Sequence, residues 1–230
     1  MSGACRLDDW GVIRALGADA GTFLQGQLTN DVLGLGPDRA CLAGFCSAKG
    51  RLQASFVVWK AGEEEFLLAC SASVLAPTLK RLAMFVLRAR CKLSDASAEL
   101  ALWGIAGTAA ATQLGDALPW QRRALGGATM IRLPDGAGER RGLLACAPGV
   151  DVVASVGNAV DLDVWRWLAV QSGVITIEAA TVDRFVPQMV NFERVGGVDF
   201  QKGCYPGQEI VARSQYRGTI KRRKIGRAHV

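Results

Sequence analysis

Val198-Asp-Phe-Gln-Lys-Gly-Cys-Tyr-Pro-Gly-Gln-Glu-Ile-Val-Ala-Arg213 is the most informative stretch of this 230-residue chain, because turn, helix and reactive-group signals overlap within it. Tyr205-Pro206-Gly207-Gln208 has the residues of a type II turn: proline sets φ at the first central position and glycine supplies the positive φ of the second. A helix is expected from about Gly207. Glu209 lies in its first turn, Arg213 and Arg217 toward its end, and Gly218 is suited to terminate it. Glu209 and Arg213 also form a favourable i,i+4 pair. Cys204 then sits on a loop ahead of a helix N-terminus with Lys202 two residues away, an electropositive setting that favours the thiolate. The plainer reading is a turn and helix with a buried cysteine. Against it, Lys, Gly, Cys, Tyr, Gly, Gln and Glu coincide within eight residues, which packing alone does not explain.

Upstream, Asp19 is placed to cap a short helix with Phe23, Leu24 and Leu28 on one side, closing at Thr29-Asn30-Asp31. Leu52, Ala54, Phe56 and Val58 alternate within Arg51 to Lys60, and Ala61-Gly62-Glu63-Glu64 turns the chain into Phe66 to Cys70, a hairpin. Leu75, Leu79, Leu82 and Phe85/Val86 recur at helical spacing. They predict an amphipathic helix over 74–89, with Pro77 tolerated in its first turn. Strand, strand, helix, strand implies a ferredoxin-like or split βαβ arrangement. Residues 115–150, rich in Gly, Pro and Ala, suggest a second, smaller unit beginning near Leu100. In it Asp161 caps a helix through Trp165, Leu168 and Ala169 that stops at Gly173, followed by a strand over Val174 to Ile177. Gly34-Leu-Gly36 lacks the third glycine and following helix of a dinucleotide loop. The expected divisions are 1–98, 99–185, a segment 186–218 carrying the turn and helix, and 219–230.

Half the residues are hydrophobic and 21% charged, the composition of a globular protein. The single histidine, His229, is second from the end, which leaves no interior imidazole for a Ser-His-Asp or Cys-His nucleophile and removes a common zinc ligand. Seven cysteines without a Cys-x-x-Cys pair read as reduced thiols; apart from Cys204 they are expected to serve as small hydrophobes. The N-terminal segment has no apolar signal core, and the longest apolar run, 101–111, is short and glycine-broken, so a cytoplasmic protein without membrane partners is expected. Seven of the 27 Lys and Arg fall within 213–230 and none of the 21 acids does, which leaves 20 bases against 21 acids, a net of −1, over 1–212. This basic run reads either as a nucleic-acid patch or as a solvated end beside a missing partner segment. Ile225-Gly-Arg-Ala-His-Val230 is also what a common sequencing-library adapter encodes in one frame. The expectation is that 225–230 are a non-native tail and that the natural protein continues past about residue 224.

Lys202-Gly203-Cys204-Tyr205-Pro206-Gly207-Gln208-Glu209 matches the K-G-C-Y-x-G-Q-E signature of the YgfZ family, folate-binding proteins related to the aminomethyltransferase, or T-protein, of glycine cleavage. Phe23 to Val32, Lys49-Gly50-Arg51, Phe185 to Asn191 and Arg213 to Arg223 resemble the same family. The similarity runs from about residue 8 to 224. It implies a T-protein-like α+β fold: a ferredoxin-like N-terminal domain, a second α+β domain, and a C-terminal β-barrel that is truncated here at 219–230. It also implies tetrahydrofolate bound in a central channel and a role in assembling or maintaining iron–sulfur clusters in client enzymes, including those that modify tRNA. Iron–sulfur carrier proteins would be the other partners. Cys204 would be the reactive thiol and a ligand to a transient iron–sulfur cluster shared with a partner, since one cysteine cannot hold a cluster alone. Lys202 would lower its pKa or contact the folate glutamate. Tyr205 would stack on the pterin, Gln208 and Glu209 would hydrogen-bond it, Arg213 would join the folate site, and Asn191 and Gln188 would line the channel. The competing reading is a one-carbon transferase like the T-protein itself. Against it, that family has aspartate where Cys204 stands, and its Arg-Leu-Glu-Ala-Gly element falls on Ala169-Val-Gln-Ser-Gly173, without the basic and acidic positions. Direct tRNA binding is not expected, because no stacking platform accompanies the terminal charges.

Overall fold

The structure, a computed structural model, describes residues 1–217 and Arg223. The expected helix stop at Gly218, the barrel start over 219–230 and the tail over 225–230 therefore lie outside the described residues, Arg223 excepted. In chain order the strands are β1 (Gly3–Arg6), β2 (Trp10–Leu16), β3 (Ala40–Cys46), β4 (Leu52–Lys60), β5 (Glu65–Ser71), β6 (Lys92–Asp95), β7 (Ala101–Ala106), β8 (Arg122–Leu125), β9 (Ala128–Gly136) and β10 (Glu139–Cys146). The helices are α1 (Ala20–Gln25), α2 (Ala72–Ala83), α3 (Gly107–Leu114), α4 (Val152–Val156), α5 (Leu162–Gln171) and α6 (Gln208–Tyr216).

The first sheet has the order β3-β4-β5-β2-β6. Strands β5 and β6 both pair antiparallel with β2 and so run parallel to each other, joined by α2. This is the split βαβ that the hydrophobic pattern implied. Helix α2 buries Val74, Leu75, Thr78 and Leu82, and Ser71 caps it by accepting from the Ser73 amide at 3.3 Å. It begins two residues earlier and ends six residues sooner than expected, which puts Pro77 in the second turn. The helix closes with i→i−3 bonds from the Met84, Phe85 and Val86 amides. Asp19 does not cap α1 with its side chain; its carboxylate accepts from the Arg90 amide at 2.8 Å and the Arg90 guanidinium at 3.2 Å, which ties the segment after α2 to the start of α1.

The second sheet has the order β1-β7-β10-β9-β8. Its edge strand β1 comes from the chain's first residues, pairing Gly3 with Ala106 through Arg6 with Trp103, so the N-terminus crosses into the second unit. Helix α5 starts where Asp161 accepts from the Asp163 amide at 2.9 Å. Val174 to Ile177, expected as a strand, joins no sheet. Strand β4 already pairs with β3 on one side and β5 on the other, so no sheet edge is available to it there. The Ser55 hydroxyl of β4 serves instead, accepting from the Ile177 amide at 2.9 Å and donating to the Ile175 carbonyl at 3.2 Å.

Strand alternation distributes β4 between two cores. Phe56 and Val58 face α1 and α2, while Val57 and Trp59 pack with Leu102, Ile131, Leu143 and Trp165 of the second unit. A third cluster lies between the second sheet and α3 and α4. A fourth joins Leu42, Cys46 and Leu52 of the first sheet to Phe192, Val198, Tyr205 and Val211, and it seats the Cys204 segment.

Candidate functional site

The segment carrying Cys204 is held by its backbone. Gln208 N–H donates to the Tyr205 carbonyl at 3.2 Å and Gly207 has φ 76° and ψ 7°, so the type II turn forms as its residues dictate. The turn lies directly against the β3–β4 hairpin. A Cβ on Gly207 would come within 2.4 Å of the Ser47 carbonyl oxygen and 2.6 Å of Gly50 Cα. Gly50, itself at φ 67°, would with a Cβ come within 2.9 Å of Ile210 Cβ. The hairpin is tied in turn to residues 183–185. Ser47 Oγ donates to Asp183 Oδ1 at 2.7 Å, and Arg51 donates to the Arg184 carbonyl at 2.7 Å.

Ahead of the turn, Asp199 Oδ1 accepts from the amides of Gln201 at 2.7 Å and Lys202 at 3.2 Å, rounding the loop. Lys202 points inward. Its Nζ donates to the Gln25 and Leu28 carbonyls at the end of α1, at 2.5 and 2.7 Å, and lies 4.9 Å from the Tyr205 ring centroid. Burial holds its pKa below the ordinary lysine value, partly offset by the charges of Asp31, Asp199 and Cys204. Two sequence-based assignments change here. The ammonium of Lys202 is engaged with backbone carbonyls and is a positioning group, not one presented to a folate glutamate. Tyr205 is 6% exposed and packed beneath that ammonium, with its hydroxyl pKa pushed up by burial and then by Cys46, so its ring is a core element and not a stacking platform.

Gln188 also departs from its expected place in a channel wall. It is fully buried, and its Nε2 donates to the Val211 carbonyl at 2.8 Å, pinning α6 to the 3-10 turn Pro187–Val190. Asn191 ends that turn at φ 56°, a left-handed conformation that asparagine tolerates. On α6, Val211 is buried, whereas its neighbour Ile210 is 42% exposed. On the accessible side the structure places Cys204, Glu209 and Arg213, with Gln208 half-buried. Glu209 and Arg213 lie one turn apart on α6. Among the described residues they form no ion pair with each other.

Thr29 and Asn30 were not singled out from sequence, yet they are what the segment docks onto. Thr29 Oγ1 accepts from the Gly44 amide at 2.7 Å and donates to the Gly197 carbonyl at 2.5 Å, while its own carbonyl accepts from Asp199 at 2.9 Å. Asn30 Nδ2 donates to the Leu42 and Gly196 carbonyls at 2.7 and 2.6 Å. The available signal was the polar Thr-Asn-Asp run a few residues past a short helix.

Cys204 is the one exposed cysteine. Burial pushes the thiols of Cys41, Cys46 and Cys70 up to about 12 and that of Cys5 to about 11, and raises those of Cys91 and Cys146, so all six resist ionisation as small hydrophobes do. No three His, Cys, Asp or Glu side chains gather as a metal site among the described residues. Of the terminal basic run, Arg223 pairs with Glu193 at 2.8 Å. No helix among the described residues is long and apolar enough to cross a membrane.

Two facing antiparallel sheets with helices packed against them make the chain an α+β protein of the aminomethyltransferase T fold. The fold superposes on the crystal structure of the glycine cleavage system aminomethyltransferase T from Bartonella henselae with a TM-score of 0.76 and 16% identity, covering 94% of this chain and 64% of that one. At that identity the likeness is one of fold. No family model matches the chain. It is, however, 35% identical over 242 aligned positions to the tRNA-modifying protein YgfZ of Edwardsiella ictaluri, covering 94% of this chain and 68% of that protein. It is 32% identical over 228 positions to the protein of the same name from Photobacterium profundum, covering 94% and 67%. The chain belongs to the YgfZ family.

Proposed function

We propose that this protein is a cytoplasmic tetrahydrofolate-binding factor that assists the assembly or maintenance of iron–sulfur clusters in client enzymes, tRNA-modifying enzymes among them. The observation that carries the reading is the contrast among the cysteines: six are buried or half-buried with raised pKa values, and Cys204 alone is exposed, on a loop anchored by Lys202. An exposed thiol on a rigid loop is suited to ligating iron for transfer. The cluster is cargo, and its remaining ligands would come from a carrier or client protein. The exposed groups on α6 have the chemistry a folate site needs: the Glu209 carboxylate would accept paired N–H donors of a pterin, and the Arg213 guanidinium would pair with a carboxylate. Gln208 adds an amide beside them. Bound folate would supply a one-carbon carrier, and this chain's residues would orient it beside the Cys204 loop.

The test is anaerobic reconstitution with ferrous iron and sulfide, followed by cluster transfer to an apo-client, with and without tetrahydrofolate. Cys204→Ser is expected to slow transfer by about tenfold or more, and Arg213→Ala to weaken folate binding while sparing the reconstituted cluster. Wild-type transfer rates from Cys204→Ser would overturn the assignment.

A further inference from the structure

We propose that the outer layer of the second sheet holds a binding site for an uncharged, largely apolar small molecule, separate from the Cys204 segment. A cavity of about 350 Å³ lies between β7–β10 and helices α3 and α4. Its floor is made by Ile105, Met130, Cys146 and Val152, each no more than 2% exposed. Its mouth opens between the β8–β9 turn at Gly126-Gly127 and the segment from Ala147 to α4, where Val150 and Ser155 are exposed.

The lining chemistry selects the ligand class. No Lys, Arg, Asp or Glu reaches the cavity, so a charged group entering it would lose hydration without gaining a partner. The Cys146 thiol stays neutral, its pKa raised by burial, and faces the Ala101 carbonyl at 3.8 Å. Two polar side chains face the cavity from opposite helices. The Gln113 carboxamide of α3 makes no hydrogen bond among the described residues. Ser155 Oγ of α4 donates to the Val152 carbonyl at 2.8 Å and keeps its lone pairs free to accept. An apolar body with one N–H or O–H donor satisfies this arrangement. The volume is at the small end of the roughly 300–1,000 Å³ usual for ligand sites, which suits one or two fused rings.

The test uses indole, which has the proposed chemistry, and indole-3-acetate, which has the same rings with a carboxylate. With 13C-labelled methyl groups, indole is expected to shift Met130 and Val152 saturably in the range of roughly 0.1–1 mM, and indole-3-acetate to leave them unmoved. Ser155→Trp, at an exposed position of the mouth, is expected to abolish the indole shifts without lowering the melting temperature. Gln113→Leu, which alters no floor residue, is expected to weaken indole several-fold and leave toluene unchanged. Unsaturable or scattered indole shifts, equal binding of indole-3-acetate, or a Gln113→Leu effect as large on toluene as on indole would each overturn the proposal. If Ser155→Trp fails to fold, the two-ligand comparison and Gln113→Leu still decide it.

Discussion

At the scale of single residues, Thr29 shows how much of the candidate site rests on a side chain without reactive chemistry. Its hydroxyl bridges Gly44 N–H and Gly197 C=O, the latter 168 positions away along the chain. Thr29→Val keeps the shape and leaves both backbone groups unsatisfied in the interior. We expect it to cost about 2 kcal/mol or more, read as a lower urea midpoint with unchanged slope, whereas Thr29→Ser should cost less than half as much. Equal losses would show that the methyl group, not the hydroxyl, matters. Cys204, Lys202 and Tyr205 were all visible in the sequence as a cluster, but their division of labour was not. Proximity along the chain put Lys202 near the thiol; the carbonyls of Gln25 and Leu28, which claim its ammonium, come from a helix more than 170 residues earlier.

At the scale of elements, the turn and helix of the signature were legible because their causes are local: proline at the first central position, glycine at the second, and polar residues facing out along α6. Their seat was not. Gly207 is needed both for its φ of 76° and for its approach to Ser47 and Gly50. Gly207→Ala should therefore lift the turn off the β3–β4 hairpin and lower the melting temperature by roughly 5–10 °C. Gly203→Ala, where a Cβ would meet nothing within 4 Å, should leave it unchanged. A neutral Gly207→Ala would mean that the contact between turn and hairpin is dispensable. The segment 174–177 teaches the same lesson in reverse. Its alternating residues favour an extended conformation, but with both edges of β4 already paired no strand partner remains there, and one serine hydroxyl takes that role.

At the scale of the whole molecule, the buried thiols make folding pH-dependent. In the folded state Cys41, Cys46 and Cys70 are raised to about 12 from an ordinary 9.0, so they keep protons that the unfolded chain releases. Their stabilising contribution is complete below pH 9 and is lost as pH climbs toward 12, by up to about 1.4 kcal/mol per pH unit for each thiol. Urea midpoints measured at pH 8 and pH 10 should fall accordingly, and Cys70→Ala should make the decline shallower by about one proton. An identical slope in wild type and Cys70→Ala would refute the linkage.

The sequence by itself determined the local vocabulary: the first-sheet hairpin, the helix capped by Asp161, the type II turn with its following helix, and the identity of the one cysteine set apart from the rest. Each follows from spacing, capping or turn chemistry within a few residues. Only the tertiary structure decided which groups meet. It sent β1 to the second sheet, tied Asp19 to Arg90 and not to its own helix, buried Tyr205 and Gln188, and left Cys204, Glu209 and Arg213 facing outward. These outcomes depend on which distant backbone donors and acceptors remain unsatisfied once the sheets have paired, and spacing along a chain does not encode that competition.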